Sequence, residues 1–186
     1  MSGEQNGSII LVNGTSSSGK STLCKALQRE MDTAFWHFSS DHLIEAGMHP
    51  LARFKDGTFT WSEHRPKFFD AFHRSIAAFA HAGNNLLVEH IVESPEWVHQ
   101  LAGLLAEIDV FVVSATCPAN VRDSREISRR DRQIGEAIFH MPTYEFVPHD
   151  IEIDTSLPLD TCCSQVVEAW RNRPSDCKFA ERWLQA

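Results

Sequence analysis

"SIILVNGTSSSGKST", residues 8–22, joins a short apolar run to a loop of glycines and hydroxyls that ends in lysine. Ser8 to Val12 reads as a buried strand. "KSTLCKALQREM", Lys20 to Met31, carries Leu23, Leu27 and Met31 at four-residue spacing and reads as a helix. Between them, Gly14-Thr15-Ser16-Ser17-Ser18-Gly19-Lys20-Ser21 satisfies G-x-x-x-x-G-K-[ST], and Thr22 adds one more hydroxyl. Glycines at those two places let the backbone turn its N–H groups inward, so that a phosphate chain is cradled. The helix that follows offers unpaired N–H groups and the positive end of its dipole. Lys20 supplies a point charge for the β- and γ-phosphates, and Ser21 a hydroxyl for Mg²⁺. A serine-rich turn with a chance lysine would not need to fall between a strand and a helix, where this one falls. The stretch therefore predicts a nucleoside triphosphate site.

The rest of the chain repeats the alternation. Strands are expected in "AFWHFS" (34–39), "NLLVEHIV" (85–92), "DVFVVSAT" (109–116) and "DIEIDTS" (150–156). Helices are expected at about 62–82, with Phe68, Phe72, Ile76 and Phe79 down one side, and over 94–108, with Ser94 as N-cap and Pro95 at the first position. Two more are expected over 118–139 and 159–172, while residues 47–62 show no clear period and read as a long loop or lid. Continuous apolar strands alternating with helices predict an α/β fold, a parallel sheet covered on both faces. Ligands gather at the carboxyl ends of such strands.

Composition narrows the partners. A length of 186 residues suits one domain, 1–186, and 42% apolar with 23% charged residues is ordinary for a soluble globular chain. The net charge of −8 argues against general binding to nucleic acid or anionic membrane. No run approaches the roughly 18 apolar residues of a transmembrane helix, and "MSGEQNGS" lacks the features of a signal peptide. Five cysteines without a CxxC pair point to reduced thiols and a cytoplasmic setting. The ten histidines show neither HExxH nor a close Cys/His grouping, and read as scattered surface and core residues rather than a zinc site. Oligomeric state is not legible.

The nucleotide loop alone names no reaction, so the other strand ends must supply one. Asp41, in "FSSDHL", could accept a proton from a hydroxyl attacking the γ-phosphate; equally, Ser39, Ser40 and Asp41 could cap a helical turn. Glu89, in "LLVEH", suits a Mg²⁺ ligand, direct or through water, or else a solvated strand-end acid; His90 beside it reads as structural. Five of the twelve arginines lie within 122–132. At about 100° per residue, Arg122, Arg125, Arg129 and Arg132 fall within an arc of about 80°. Such a face suits phosphate oxygens; the alternative is a solvated helix with internal pairs from Asp123 or Glu126 to Arg130.

Taken together, "ILVNGTSSSGKS", "FSSDHLIEA", "SREISRRDRQIG" and "VPHDIEIDTS" make the chain resemble the chloramphenicol phosphotransferase family of P-loop kinases. The resemblance implies a five-stranded parallel sheet, a helical lid over about 118–141, and transfer of the γ-phosphate of ATP to a small-molecule alcohol, with an antibiotic among the candidate acceptors. It places the catalytic base on Asp41 and the lid arginines on Arg129 and Arg132, and keeps Lys20 and Ser21 in their loop roles. Where the family carries two aspartates after the third strand, this chain has Glu89-His90, so its acceptor is expected to differ. The aromatics Phe54, Phe59, Trp61, Phe68, Phe69 and Phe72 either shape an acceptor pocket or, for the helical ones, fill the core. A sugar, nucleotide-sugar or zeta-toxin-like kinase and a non-catalytic nucleotide-binding regulator stand as alternatives.

Overall fold

The computed structural model describes residues 5–128, 136–174 and 183. β1 (Ile9–Asn13) runs up the middle of a five-stranded sheet and leads into α1 (Lys20–Glu30). β2 (Phe35–Ser39) is followed by three helices: α2 (Ser40–Glu45), α3 (Leu51–Lys55) and the long α4 (Trp61–His81). β3 (Asn85–His90), α5 (Pro95–Leu104), β4 (Val110–Thr116) and α6 (Ala119–Ser128) continue the alternation. Two short helices, α7 (Glu136–Phe139) and α8 (Thr143–Phe146), precede β5 (Ile151–Asp154) and α9 (Leu159–Arg171).

All neighbouring strands are parallel, in the order β2-β3-β1-β4-β5. Each central strand is apolar on both faces because each face is covered. One core packs Ile9, Leu11, Leu86, Val88, Val110 and Val112 against α4 and α5; the other packs Ile10, Val12, Leu87 and Val113 against α1 and α9. The chain reverses from β1 to its two opposite neighbours, β3 and β4, which opens a crevice at the strand carboxyl ends. The register then aligns what that crevice receives: Asn13 lies beside His90, and Ser39 beside Glu89.

Several expectations shift in detail. The span 47–62 is not a structureless loop, since it contains α3, and His49, Phe54, Phe59 and Trp61 gather their rings into one cluster there. The buried stripe of α4 is Phe69, Phe72, His73, Ile76 and Ala77, while Phe79 remains 42% exposed. The stripe turned because α4 packs on β3 and α5 together, a choice that four-residue spacing cannot make. Ser94 does cap α5, accepting from the Trp97 amide, with Pro95 next to it. The helix expected over 118–139 appears as α6 and α7, with 129–135 outside the described residues.

Candidate active site

The loop after β1 has the shape its sequence requires. Ser17 (φ 61°) and Gly19 (φ 94°) occupy the left-handed region, turning the chain into α1. A Cβ on Gly14 would stand 2.4 Å from the Ala115 carbonyl oxygen, so the loop can lie against β4 only because this residue has none. Thr15, Ser16, Ser17 and Ser18 are all buried. The Ser17 and Ser18 hydroxyls are buried without a hydrogen-bond partner among the described residues, a costly arrangement unless a ligand's oxygens supply one. These orphan donors, the turned backbone and the buried Lys20 fit a phosphate chain. Lys20 Nζ lies 2.6 Å from the Thr15 carbonyl oxygen, to which it donates. Tyr144, not singled out in the sequence, braces the loop from α8: its hydroxyl accepts from the Thr15 amide at 3.1 Å and donates to the Ala115 carbonyl at 2.8 Å.

Glu89 is not a solvated acid. It is 8% exposed, and its two oxygens are divided between neighbours. Ser21 Oγ donates to Oε1 at 2.6 Å, and His37 Nε2 meets Oε2 at 3.1 Å. Burial pushes the carboxyl pKa up, but the hydrogen bonds from His37 and Ser21, with the Lys20 charge, outweigh it and bring the value down to about 2. A hydroxyl and an ionised carboxylate thus stand together beside the phosphate loop, hard oxygen donors of the kind Mg²⁺ takes. Both open onto one cleft of about 250 Å³, whose lining also includes Lys20, Thr22 and Asp41.

Asp41 sits in the first turn of α2. The capping role falls to Ser39, whose hydroxyl accepts from the Asp41 amide at 3.2 Å. The cap and the acid are therefore different residues, and Asp41 joins the lining of the cleft that holds the loop lysine. The capping reading holds for Ser39, and the geometry keeps the chemical reading of Asp41 available.

The arginine face divides. Arg122 pairs with the adjacent Asp123 at 3.1 Å and donates to Met141 Sδ, its side chain only 11% exposed. Arg125 turns to the protein: its guanidinium donates to Thr155 Oγ1 (2.9 Å) and to the Thr155 carbonyl (2.7 Å). That holds it beside Gly19 and in the lining of a second cleft, with Thr22, Leu23 and Leu157, on the far side of the loop. Arg125 thus braces the turn after β5 against the loop, with an N–H from each of its two terminal nitrogens on Thr155. Glu126 is buried and accepts from the Ala137 amide at 3.0 Å. Arg129, Arg130 and Arg132 lie outside the described residues.

The far wall of the first cleft is aromatic and polar together. Arg65 lies over the Phe69 and Trp97 rings, at 4.7 and 5.3 Å from their centroids, and pairs with Glu93; His140 stands 3.8 Å from the same carboxylate. His90 stacks on Trp97, with 10° between the planes. Its protonation can be deduced from the surface inward. Arg74 holds the exposed Asp70 ionised, so Asp70 only accepts, from Gln100 Nε2 at 2.6 Å. The Gln100 oxygen then faces His73 Nδ1, 2.8 Å away, which must carry a proton. His73 Nε2 is left to accept, and His90 Nε2, 2.9 Å away, must donate. Burial depresses both imidazole pKa values, so both rings are neutral. ¹⁵N chemical shifts should show an Nδ1–H tautomer at His73 and an Nε2–H tautomer at His90, both persisting below pH 6.5. Protonation of either ring near that pH would contradict the chain. Because both folded pKa values lie below the unfolded one, this pair contributes stability above about pH 6.5 and loses it as pH falls.

A parallel sheet of this order, a phosphate loop after its central strand and an acid at the next strand end define a P-loop phosphotransferase. The chain belongs to the chloramphenicol phosphotransferase-like family, whose model matches residues 7–171. A Mycobacterium tuberculosis protein named "Putative O-phosphotransferase" is 25% identical over 201 residues, covering 96% of this chain and 89% of that one. Among solved structures, the M. tuberculosis adenylylsulfate (APS) kinase, in complex with AMPPNP and APS, superposes with a TM-score of 0.65 at 16% identity, over 90% of this chain and 99% of that one. A sugar kinase from a Janibacter species gives a TM-score of 0.64 at 19% identity, over 91% and 97%. At these identities the two structures speak for the fold.

Proposed function

We propose that this kinase moves the γ-phosphate of ATP to a hydroxyl of a small molecule, with Asp41 as the base. The observation that carries the reading is convergence: Lys20 and Ser21 from the start of α1, Asp41 from the first turn of α2 and Glu89 from the end of β3 line one cleft. The loop amides and the Ser17 and Ser18 hydroxyls hold phosphate oxygens, and Lys20 leaves the Thr15 carbonyl for the β- and γ-phosphates. Ser21 and Glu89 hold Mg²⁺, which when bound neutralises charge on the phosphates. Asp41 orients the acceptor hydroxyl and takes its proton. Arg129 and Arg132, on a lid over about 118–141, are assigned to charge on the transferring group by family resemblance. The free thiols of Cys24, Cys117, Cys162 and Cys163 suit a cytoplasmic enzyme, and no helix among the described residues is long and apolar enough to cross a membrane.

The acceptor wall narrows the substrate. Arg65 and Glu93 offset each other's charge, and Trp61, Phe69 and Ile91 add apolar surface, which suits an uncharged alcohol with an apolar face. Chloramphenicol and similar antibiotics are of that type. The donors and acceptors of Arg65, Glu93 and His140 also suit a polyol, so a sugar or nucleotide-sugar kinase is the second reading. Incubation with Mg·ATP and a panel of antibiotic, sugar and polyol alcohols, followed by mass measurement, should show one class gaining a single phosphate. Phosphate on the polyols alone would select the second reading. If no member is modified while nucleotide binds, a non-catalytic regulator replaces both.

A further inference from the structure

Ser21 and Cys24 are three residues apart on α1 and so share a face of the helix. Both face Glu89: Ser21 through its hydrogen bond, Cys24 through the proximity of its sulfur. The Cys24 sulfur, a His37 ring nitrogen and a Glu89 oxygen all lie within 4.8 Å of one another. They come from α1, β2 and β3: Cys24 precedes His37 by 13 residues and His37 precedes Glu89 by 52, so no short ligand spacing announces them. Cys24 is fully buried, and the side chains of His37 and Glu89 are 6% and 10% exposed. Tetrahedral zinc bonds of about 2.0–2.3 Å place donor atoms roughly 3.5 Å apart. The cluster therefore needs to contract by about 1 Å, within reach of side-chain rotation.

Charge and chemistry favour a soft cation here. One thiolate and one carboxylate balance a divalent ion, leaving a neutral centre where an unbalanced one would be costly. Sulfur and imidazole donors suit zinc-class ions, whereas Mg²⁺ demands oxygen in octahedral array. Ser21 and Glu89 line the cleft and give the ion its entry, and a water completes the fourth position. Burial and the Glu89 charge keep the unbound thiol protonated. On binding, that proton leaves to solvent, a bond forms between the ion and Cys24 Sγ, and His37 moves its ring proton to Nδ1 so that Nε2 can donate a lone pair.

We propose that Cys24, His37 and Glu89 form a site for a thiophilic divalent cation, and that filling it withdraws Glu89 from Ser21 and so inhibits the enzyme. The binding half stands on the cluster alone; the inhibitory half rests on the function proposed above.

The probe is Co²⁺, added to the full-length, reduced, nucleotide-free protein. The expected result is a sulfur-to-cobalt charge-transfer band with the visible spectrum of a four-coordinate ion. Zinc should abolish it by displacement, and millimolar Mg²⁺ should leave it. Cys24→Ser should lose the band, as should Cys24→Ala, the better-tolerated change if serine unsettles the core; Cys162→Ser and Cys163→Ser should keep it. In a turnover assay, Cys24→Ser should need at least ~10-fold more zinc for half inhibition. Absence of the band, or its persistence in both Cys24 variants, overturns the site. A zinc response equal in wild type and Cys24→Ser overturns the inhibition. If the band appears as expected but no alcohol accepts phosphate, the proposed function fails and the metal site stands.

Discussion

Replacing Asp41 with asparagine should lower kcat by about 10²–10⁴-fold, the usual contribution of a positioned base, with nucleotide affinity changed less than ~2-fold. The substitution keeps the size of the side chain and leaves the α2 cap intact, because the cap is the Ser39 hydroxyl accepting from the residue 41 amide. A loss of turnover could not then be ascribed to unfolding of α2. Binding of a fluorescent ATP analogue and single-turnover phosphate transfer would separate the two quantities. Wild-type turnover in the variant would remove Asp41 as the base, and a parallel collapse of nucleotide binding would assign it to the donor side instead.

The second large effect is expected at Glu89. Glu89→Gln keeps an acceptor for Ser21 but removes the ionised oxygen, so kcat should fall by about 10²-fold, in the range for losing one preorganised electrostatic group, and more Mg²⁺ should be needed for half-maximal rate. The same change has a signature without activity. In the folded wild type the Glu89 pKa is depressed to about 2, from an ordinary 4.5. A depressed carboxylate stabilises the fold fully above its unfolded pKa and loses that contribution as pH falls through the folded one. Acid unfolding of the wild type should therefore steepen from about pH 4.5 downward, and Glu89→Gln should lack that part of the slope. Identical acid profiles would mean that Glu89 is not held ionised by Ser21 and His37.

The donor side was legible because its constraints are local. A loop that must turn its amides inward needs glycine where the chain bends and where β4 approaches, and those needs print a fixed spacing between Gly14 and Ser21. Alternating apolar strands and helices likewise announced the covered parallel sheet. The acceptor side was not legible, because its members meet only across the fold. Arg65 on α4, Glu93 after β3 and His140 beyond α7 share no spacing, and Gln100 gives no hint in sequence that it fixes two histidine tautomers. Cys24 and His37 carry no signal in the sequence for the same reason: the sheet makes neighbours of residues that the chain keeps apart. Tyr144 could have been noticed as the chain's only tyrosine, but nothing local ties it to a loop 129 residues away. Arg125 shows the opposite limit, since helical angles placed it on a basic face without revealing that Thr155 would claim its donors.

Thr155 itself carries a consequence. Its hydroxyl donates to the Ser18 carbonyl and accepts from Arg125, and its amide is tied to Thr116. The phosphate loop and α6 thus meet at one small residue at the end of β5. It works as a pin between loop and helix: Arg125 of α6 grips its hydroxyl and its carbonyl, and the same hydroxyl grips Ser18. A valine here would keep the shape of the pin and lose the hydroxyl's grip on Ser18 and Arg125.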